Sequence, residues 1–183
     1  KVDCGLKIHP RFTDQEKMKT YKPLLNEVIQ KMDALSSHKI RYNIEIKSVE
    51  QEYDEFYPQP SEFVALVVEI VKKYNAQDRV TLQSFDVNVL NELHAKHPEI
   101  TTAYLVEGNK DFKHAFTLIN YTPKIYSPDY KLITPELISF LKDQNIMLIP
   151  WTVNETEDMQ KLIALGVDGI ITDYPNRLID LTK

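Results

Sequence analysis

Cysteine and glycine are scarce in this chain, and their scarcity excludes several kinds of site. Cys4 is the only cysteine, so neither an intrachain disulfide nor a zinc site built from several cysteines can form. The chain has four glycines in 183 residues, and none of them falls in a GxGxxG fingerprint or a Walker loop. A doubly wound nucleotide-binding fold is therefore the less favoured α/β architecture.

Long apolar runs and an excess of positive charge are also missing. The most apolar stretch, Phe63 to Val71, is interrupted by Glu69 and is too short to span a bilayer. The formal net charge of −5 argues against a nucleic-acid partner, because such partners demand a basic surface. We expect no transmembrane segment and no nucleic-acid partner. The first residue is Lys1 rather than methionine, so we expect residues upstream to have been removed.

Short apolar runs alternate with amphipathic stretches from residue 40 onward, which predicts βαβ units and a parallel sheet. The six predicted strands are Ile40–Lys47, Arg79–Phe85, Ile100–Val106, Lys124–Ser127, Ile146–Thr152 and Gly169–Asp173. We expect a single domain over residues 1–183, with an irregular lead at 1–20 and βα units at 21–183. The expected starts and stops of helices are Ser61, Asp86, Thr134 and Asn154 as N-caps and Gly166 as a C-terminal stop.

The segment from Ile40 to Lys47 has charged residues on one side only. Alternation along a strand places Ile40, Tyr42, Ile44 and Ile46 on one face and Arg41, Asn43, Glu45 and Lys47 on the other. Strands of a parallel sheet are usually apolar on both faces. A (β/α)8 barrel accounts for the exception, because its inner face leads to a polar mouth where active sites lie. A solvated edge strand with a surface Glu45–Lys47 pair fits the same pattern equally well.

Further polar residues follow the predicted strands, where a ligand site or a row of helix caps would place them: Ser84, Asp86, Glu107, Ser127, Asp129, Thr152, Asn154 and Asp173. Trp151, the only tryptophan, is placed either in a pocket wall or in the core. Among the five histidines, His94 and His97 fall on a predicted helix surface, and His9 lies in the lead, from which it could reach the mouth.

Four segments resemble landmarks of the glycerophosphodiester phosphodiesterases, in the order in which that family has them. They are Asn43-Ile44-Glu45-Ile46-Lys47, Leu82-Gln83-Ser84-Phe85-Asp86, Ile149-Pro150-Trp151-Thr152-Val153-Asn154 and the run from Gly166 to Pro175. The lead around Asp3-Cys4-Gly5 also resembles an insertion found in some bacterial members. The resemblance spans Tyr21 to Leu181.

The resemblance implies a TIM barrel that hydrolyses a small glycerophosphodiester to glycerol 3-phosphate and an alcohol. It implies a divalent cation, calcium or magnesium, held by three carboxylates, with Glu45 as one of them. Lys47 would offset phosphate charge, and Trp151 would border the glycerol or headgroup pocket. The resemblance does not indicate the headgroup. It also leaves open a periplasmic or cytoplasmic location and a homo-oligomer.

The sequence departs from the family where the family begins. Members open with a His-Arg-Gly strand, a Glu-x-Asp strand and a hairpin ending in His-Asp, and none of these is present. We therefore expect an incomplete barrel that lacks the first two strands, with no catalytic histidine pair and no activity of its own. Two alternatives are a non-catalytic module that binds phosphate or phosphodiesters and a related phospholipase-type barrel.

Overall fold

The structure is a computed structural model that describes residues 3–108 and 111–183. It contains two compact units, residues 1–40 and 41–183. The first two residues of the predicted lead lie outside the described ranges. The expectation of a single domain over the whole chain stays a prediction.

The first unit consists of a closed loop followed by helix α1, Leu25–Ser36. The loop is closed where the Cys4 amide donates to the Thr20 carbonyl at 2.9 Å. Gly5 lies so close to the opposite chain that an added Cβ would fall 1.9 Å from the Met18 carbonyl oxygen, and only glycine fits there. The predicted irregular lead is therefore a loop whose two ends are held together by a backbone hydrogen bond and by the close approach at Gly5.

The second unit is a five-stranded parallel sheet with helices in its crossovers. The strands are β1 Tyr42–Glu45, β2 Val80–Ser84, β3 Thr101–Val106, β4 Ile125–Pro128 and β5 Met147–Leu148. The helices are α2 Pro60–Lys73, α3 Val87–Lys96, α4 Phe112–Leu118, α5 Pro135–Asp143, α6 Thr156–Leu165 and α7 Pro175–Leu181. Apart from three short 3-10 helices, Glu50–Glu52, Gln77–Arg79 and Tyr130–Leu132, each crossover between neighbouring strands from β1 to β5 carries one α-helix.

The strand order follows the chain order, β1-β2-β3-β4-β5, and every pairing is parallel. Such an order places each strand beside its predecessor without a reversal, as in a (β/α) barrel and unlike a doubly wound sheet. Five strands are fewer than the eight of a closed barrel. The predicted α/β fold with an incomplete TIM-type barrel is confirmed.

The last two predicted strands are shorter than expected. Only Met147–Leu148 of the predicted Ile146–Thr152 is strand, and Gly169–Asp173 is not strand at all. Hydrogen bonds to β4 continue past Leu148, because the Ile149 amide donates to the Tyr126 carbonyl and the Trp151 amide donates to the Pro128 carbonyl, each at 3.0 Å. Pro150 has no amide hydrogen to donate to the segment on its other side. The Ile171 amide nevertheless donates to the Pro150 carbonyl, and the Val153 amide donates to the Ile171 carbonyl, each at 2.9 Å. The last segment therefore runs hydrogen-bonded alongside the chain that follows β5.

The expected caps at Asp86, Thr134 and Gly166 are confirmed, and those at Ser61 and Asn154 are wrong. Asp86 accepts from the Asn88 amide, Thr134 accepts from the Leu137 amide, and Gly166 ends α6 with a φ of 79°. Helix α2 begins one residue before Ser61, at Pro60, because proline is favoured at the first helical position.

Asn154 precedes α6, but Glu155 is the N-cap residue of that helix. The Asn154 side chain instead accepts from the Asp173 amide at 3.0 Å and donates to the Asp173 carboxylate at 2.9 Å. Helix α7 was not predicted, although Pro175 at its first position is a signal for it. Over residues 3–108 and 111–183, no helix has the length and apolar character needed to cross a membrane.

Replacing Thr134 with alanine tests the confirmed cap. We expect Thr134→Ala to lower the free energy of unfolding by about 1 kcal/mol, because the Leu137 amide loses its acceptor. Ser61→Ala is the matched control and should leave stability unchanged, since α2 does not use Ser61 as its cap. Urea denaturation measures both. Equal losses in the two variants would contradict these cap assignments.

Candidate functional site

Glu45, Lys47 and Trp151 line one pocket at the carboxyl ends of the strands. The pocket has a volume of about 240 Å³. Its lining residues are Glu45, Lys47, Gln83, Phe85, Leu105, Trp151, Thr152 and Ile171. Glu45 and Trp151 are 106 positions apart in the chain, and the sheet brings them together. The candidate site residues therefore share one location.

Glu45 and Lys47 form an ion pair within this pocket. The Lys47 Nζ donates to Glu45 Oε1 at 2.6 Å. The Glu45 side chain is 23% exposed and the Lys47 side chain is 71% exposed. A pair this accessible to water contributes little to stability. The ammonium group is consequently available to an anion that enters the pocket.

A second pocket of about 300 Å³ shows which way the polar face of β1 points. Arg41 and Asn43 line it, and Gln83 and Ile171 line both pockets. The Asn43 Nδ2 donates to Gln83 Oε1 at 2.9 Å. The polar side chains of β1 therefore face the same side as residues of the neighbouring strands. β1 is also an edge strand of the described sheet, with Arg41 and Asn43 exposed, so the solvated-edge alternative is not contradicted.

Trp151 is held as a pocket wall by two neighbours. Its Nε1 donates to the Ser127 carbonyl at 2.8 Å. Its ring meets Phe85 edge to face, with the ring centroids 5.4 Å apart and the planes at 89°. Because the polar edge of the indole is engaged with the backbone, the part that lines the pocket is apolar.

The segment that carries Lys47 is fastened to the end of β2 by a buried carboxylate. Asp86, 8% exposed, accepts from the Ser48 hydroxyl at 2.6 Å and from the Tyr53 hydroxyl at 2.5 Å. Burial and the neighbouring Asp86 raise the pKa of Tyr53 to about 12, so this phenol stays a donor at neutral pH. Sequence reasoning missed Ser48 and Tyr53, since neither lies in a strand or a recognisable motif.

Most of the other polar residues predicted at the strand ends form hydrogen bonds with backbone groups. The Ser84 hydroxyl donates to the Ile46 carbonyl at 2.7 Å, and the Ser127 hydroxyl donates to the Ile149 carbonyl. Asp129 accepts from the Lys131 amide at 3.0 Å. Of the residues predicted after the strands, Thr152 lines the pocket with Glu45, whereas Glu107 is exposed.

No histidine is among the described residues that line this pocket. His94 stacks on Tyr121 with ring centroids 4.0 Å apart, and His97 lies 3.7 Å from the Glu99 carboxylate. His9 belongs to the first unit, where its Nδ1 accepts from the Arg11 amide at 3.2 Å. Among the residues that the structure describes, the lining of this pocket therefore includes no imidazole.

The described part of the pocket supplies one oxygen ligand of the several that a divalent cation needs. Within residues 3–108 and 111–183, no group of three or more His, Cys, Asp or Glu side chains is placed to hold a metal ion. Calcium takes six to eight oxygen ligands, and magnesium needs near-octahedral oxygen coordination. Glu45 supplies one carboxylate, which is already paired with Lys47. Its role as a metal ligand stays a prediction.

Comparison with known proteins agrees with this architecture. Residues 5–177 match the Glycerophosphoryl diester phosphodiesterase family. The chain belongs to this family. A glycerophosphodiester phosphodiesterase of Caldanaerobacter subterraneus subsp. tengcongensis is 32% identical, over all of this chain and 69% of that protein. The family resemblance inferred from the four sequence segments is confirmed.

Solved structures of the family match the fold. A Silicibacter pomeroyi protein named as a candidate glycerophosphoryl diester phosphodiesterase aligns with a TM-score of 0.81 and 28% identity, over 93% of this chain and 61% of that one. An Oleispira antarctica phosphodiesterase in complex with sn-glycerol-3-phosphate aligns with a TM-score of 0.71 and 23% identity, over 87% of this chain and 61% of that one. The chain thus spans less than two thirds of these family structures.

Replacing Phe85 with alanine tests the packing of Trp151, the only tryptophan in the chain. We expect Phe85→Ala to increase acrylamide quenching of Trp151 fluorescence, because the edge-to-face contact shields part of the indole from solvent. Phe56→Ala is the control, because Phe56 is 69% exposed and does not line the pocket. Unchanged quenching in Phe85→Ala would contradict the proposed wall.

Proposed function

We propose that this chain forms the substrate-binding part of a metal-assisted phosphodiester hydrolase. The protein would act on glycerophosphodiesters and produce glycerol 3-phosphate and an alcohol. The observation that carries the proposal is the convergence of Glu45, Lys47 and Trp151 on one pocket at the carboxyl ends of parallel strands. Membership in the phosphodiesterase family supports the choice of substrate.

Lys47 is proposed to bind the phosphate. An ammonium group has three N–H donors, and one of them is used by Glu45 among the contacts of the described residues. The remaining donors can bind phosphate oxygens, and the positive charge offsets the negative charge of the diester. The 71% exposure of the Lys47 side chain lets an anion reach it without displacing the fold.

Trp151 is proposed to contact the carbon skeleton of the glycerol or of the alcohol. Its Nε1 is bound to the Ser127 carbonyl, so the ring offers an apolar surface to the pocket. Phe85 and Leu105 line the same pocket, and the Phe85 ring contacts Trp151. A phosphodiester would therefore place its charge toward Lys47 and its carbon atoms toward the aromatic side.

Glu45 is proposed as one oxygen ligand to calcium or magnesium. The described part of the chain does not complete such a site, so further carboxylates would have to join Glu45. The metal would supply charge stabilisation at the phosphoryl oxygens. The contribution of this chain is to bind and orient the diester.

The 183-residue chain alone is expected to be inactive, because none of the described residues that line the pocket with Glu45 and Lys47 is a histidine. Incubating the purified chain with sn-glycero-3-phosphocholine and calcium or magnesium, and assaying glycerol 3-phosphate, tests this expectation. A family member that carries the His-Arg-Gly motif is the positive control. Turnover that copurifies with the chain and is lost in Lys47→Ala would refute the expectation.

Lys47→Ala tests phosphate binding directly. We expect this change to weaken the affinity for sn-glycerol 3-phosphate about tenfold, because a hydrogen bond to a charged group contributes about 1.5 kcal/mol. Trp151 fluorescence reports the titration, since this residue lines the pocket and is the only tryptophan.

Lys161→Ala is the matched control for this titration. The Lys161 side chain is 68% exposed and is paired with Asp158 at 3.0 Å, much as Lys47 is paired with Glu45. Lys161 does not line the pocket, so its loss should leave the affinity unchanged. Equal affinities of the Lys47→Ala variant and the unaltered chain would refute the assignment of Lys47.

A non-catalytic module that binds phosphodiesters is a second candidate, favoured by the absence of histidine from the described pocket lining. The two candidates differ in a protein that joins this chain to His-Arg-Gly and Glu-x-Asp strands. The hydrolase predicts turnover there, and the binding module predicts ligand binding without turnover.

A further inference from the structure

Lys47 lies between two residues that are fastened to the end of β2. The carbonyl of Ile46 accepts from the Ser84 hydroxyl at 2.7 Å, and the Ile46 amide donates to the Gln83 carbonyl at 2.9 Å. On the other side, the Ser48 hydroxyl donates to Asp86 at 2.6 Å. Ile46 and Ser48 are buried, with exposures of 2% and 8%. Lys47 is therefore an exposed side chain on an anchored backbone.

Asp86 connects these anchors. One carboxylate oxygen accepts from the Ser48 and Tyr53 hydroxyls, and the other accepts from the Asn88 amide at the start of α3. The Asp86 amide donates to the Ser84 hydroxyl at 3.0 Å. A buried carboxylate with several donors is held in place by all of them. We call the set Asp86, Ser48 and Tyr53 the Asp86 clamp.

The clamp includes more than a helix cap requires. Capping of α3 uses only the bond from the Asn88 amide. The bonds from Ser48 and Tyr53 reach 38 and 33 residues along the chain, to the segment that follows β1. Their effect is to fix where the backbone leaves β1, which is where the Lys47 side chain begins.

We propose that Asp86 is a positioning residue for phosphate binding, and that it acts through Ser48 and Tyr53 on the placement of Lys47. This inference rests on the proposed function of the pocket. A long lysine side chain samples many conformations, so the position of its Cα decides how often its ammonium lies in the pocket. Sites of this kind depend on neighbouring residues that hold the binding group within a fraction of an ångström.

Tyr53→Phe tests the clamp with the smallest change. The variant loses the hydroxyl that donates to Asp86. It keeps the aromatic ring of residue 53 and the bond from the Asn88 amide to Asp86 that caps α3. We expect affinity for sn-glycerol 3-phosphate to fall about fivefold, measured by Trp151 fluorescence, because the Lys47 segment loses one anchor. Asp86→Asn, which keeps a capping oxygen, should have a similar or larger effect.

Tyr121→Phe is the matched control. Tyr121 is also a partly buried tyrosine, and its hydroxyl is 2.6 Å from that of Thr102, away from the residues that line the pocket. It should lose stability without losing affinity. A double-mutant cycle adds a measurement that a purely structural role would not affect. In the Lys47→Ala background, Tyr53→Phe should cause no further loss of affinity.

The outcomes separate the clamp from the proposed function. If the unaltered chain binds no sn-glycerol 3-phosphate, both the proposed function and the clamp are refuted. If the unaltered chain and Lys47→Ala differ as expected but Tyr53→Phe binds as tightly as the unaltered chain, only the clamp is refuted. An equal loss from Tyr53→Phe with and without Lys47 would also overturn it, because the clamp would not act through that lysine.

Discussion

The parallel pairing of β1 with β2 is the constraint on which the rest of the site depends. In this register Asn43 lies opposite Thr81 and Glu45 lies opposite Gln83. A shift by one residue would turn every side chain of β1 to the other face of the sheet. Lys47 and Glu45 would then leave the pocket that contains Trp151. The position of the candidate site is therefore a property of the sheet register.

The polar residues at the strand ends divide into two groups with different tasks. Ser84, Ser127 and Asp86 are buried and bind the backbone or other buried hydroxyls. Glu45 and Lys47 keep access to solvent and pair with each other. Buried polar groups need partners, so the first group cannot be released for ligand binding without loss of stability. What remains for a ligand is a cation, a carboxylate and an aromatic wall.

Predictions from the sequence succeeded where a short stretch of chain decides the structure. The caps at Thr134 and Asp86 depend on amides two or three residues away, and both were predicted. Asn154 has the same kind of side chain but bonds to Asp173, 19 residues away, which no local pattern indicates. The predicted strand at Gly169–Asp173 failed for a related reason, because its partner segment contains Pro150.

The sequence by itself determined the α/β class, the alternation that separates Glu45 and Lys47 from Ile46, and the family. Alternation and helix periodicity are set by the geometry of neighbouring residues, so they can be read without a fold. Only the tertiary structure decided that Trp151 shares a pocket with Glu45 and that Asp86 receives Ser48 and Tyr53. Those contacts join segments far apart in the chain, and the packing of the parallel strands is what brings them within a few ångströms.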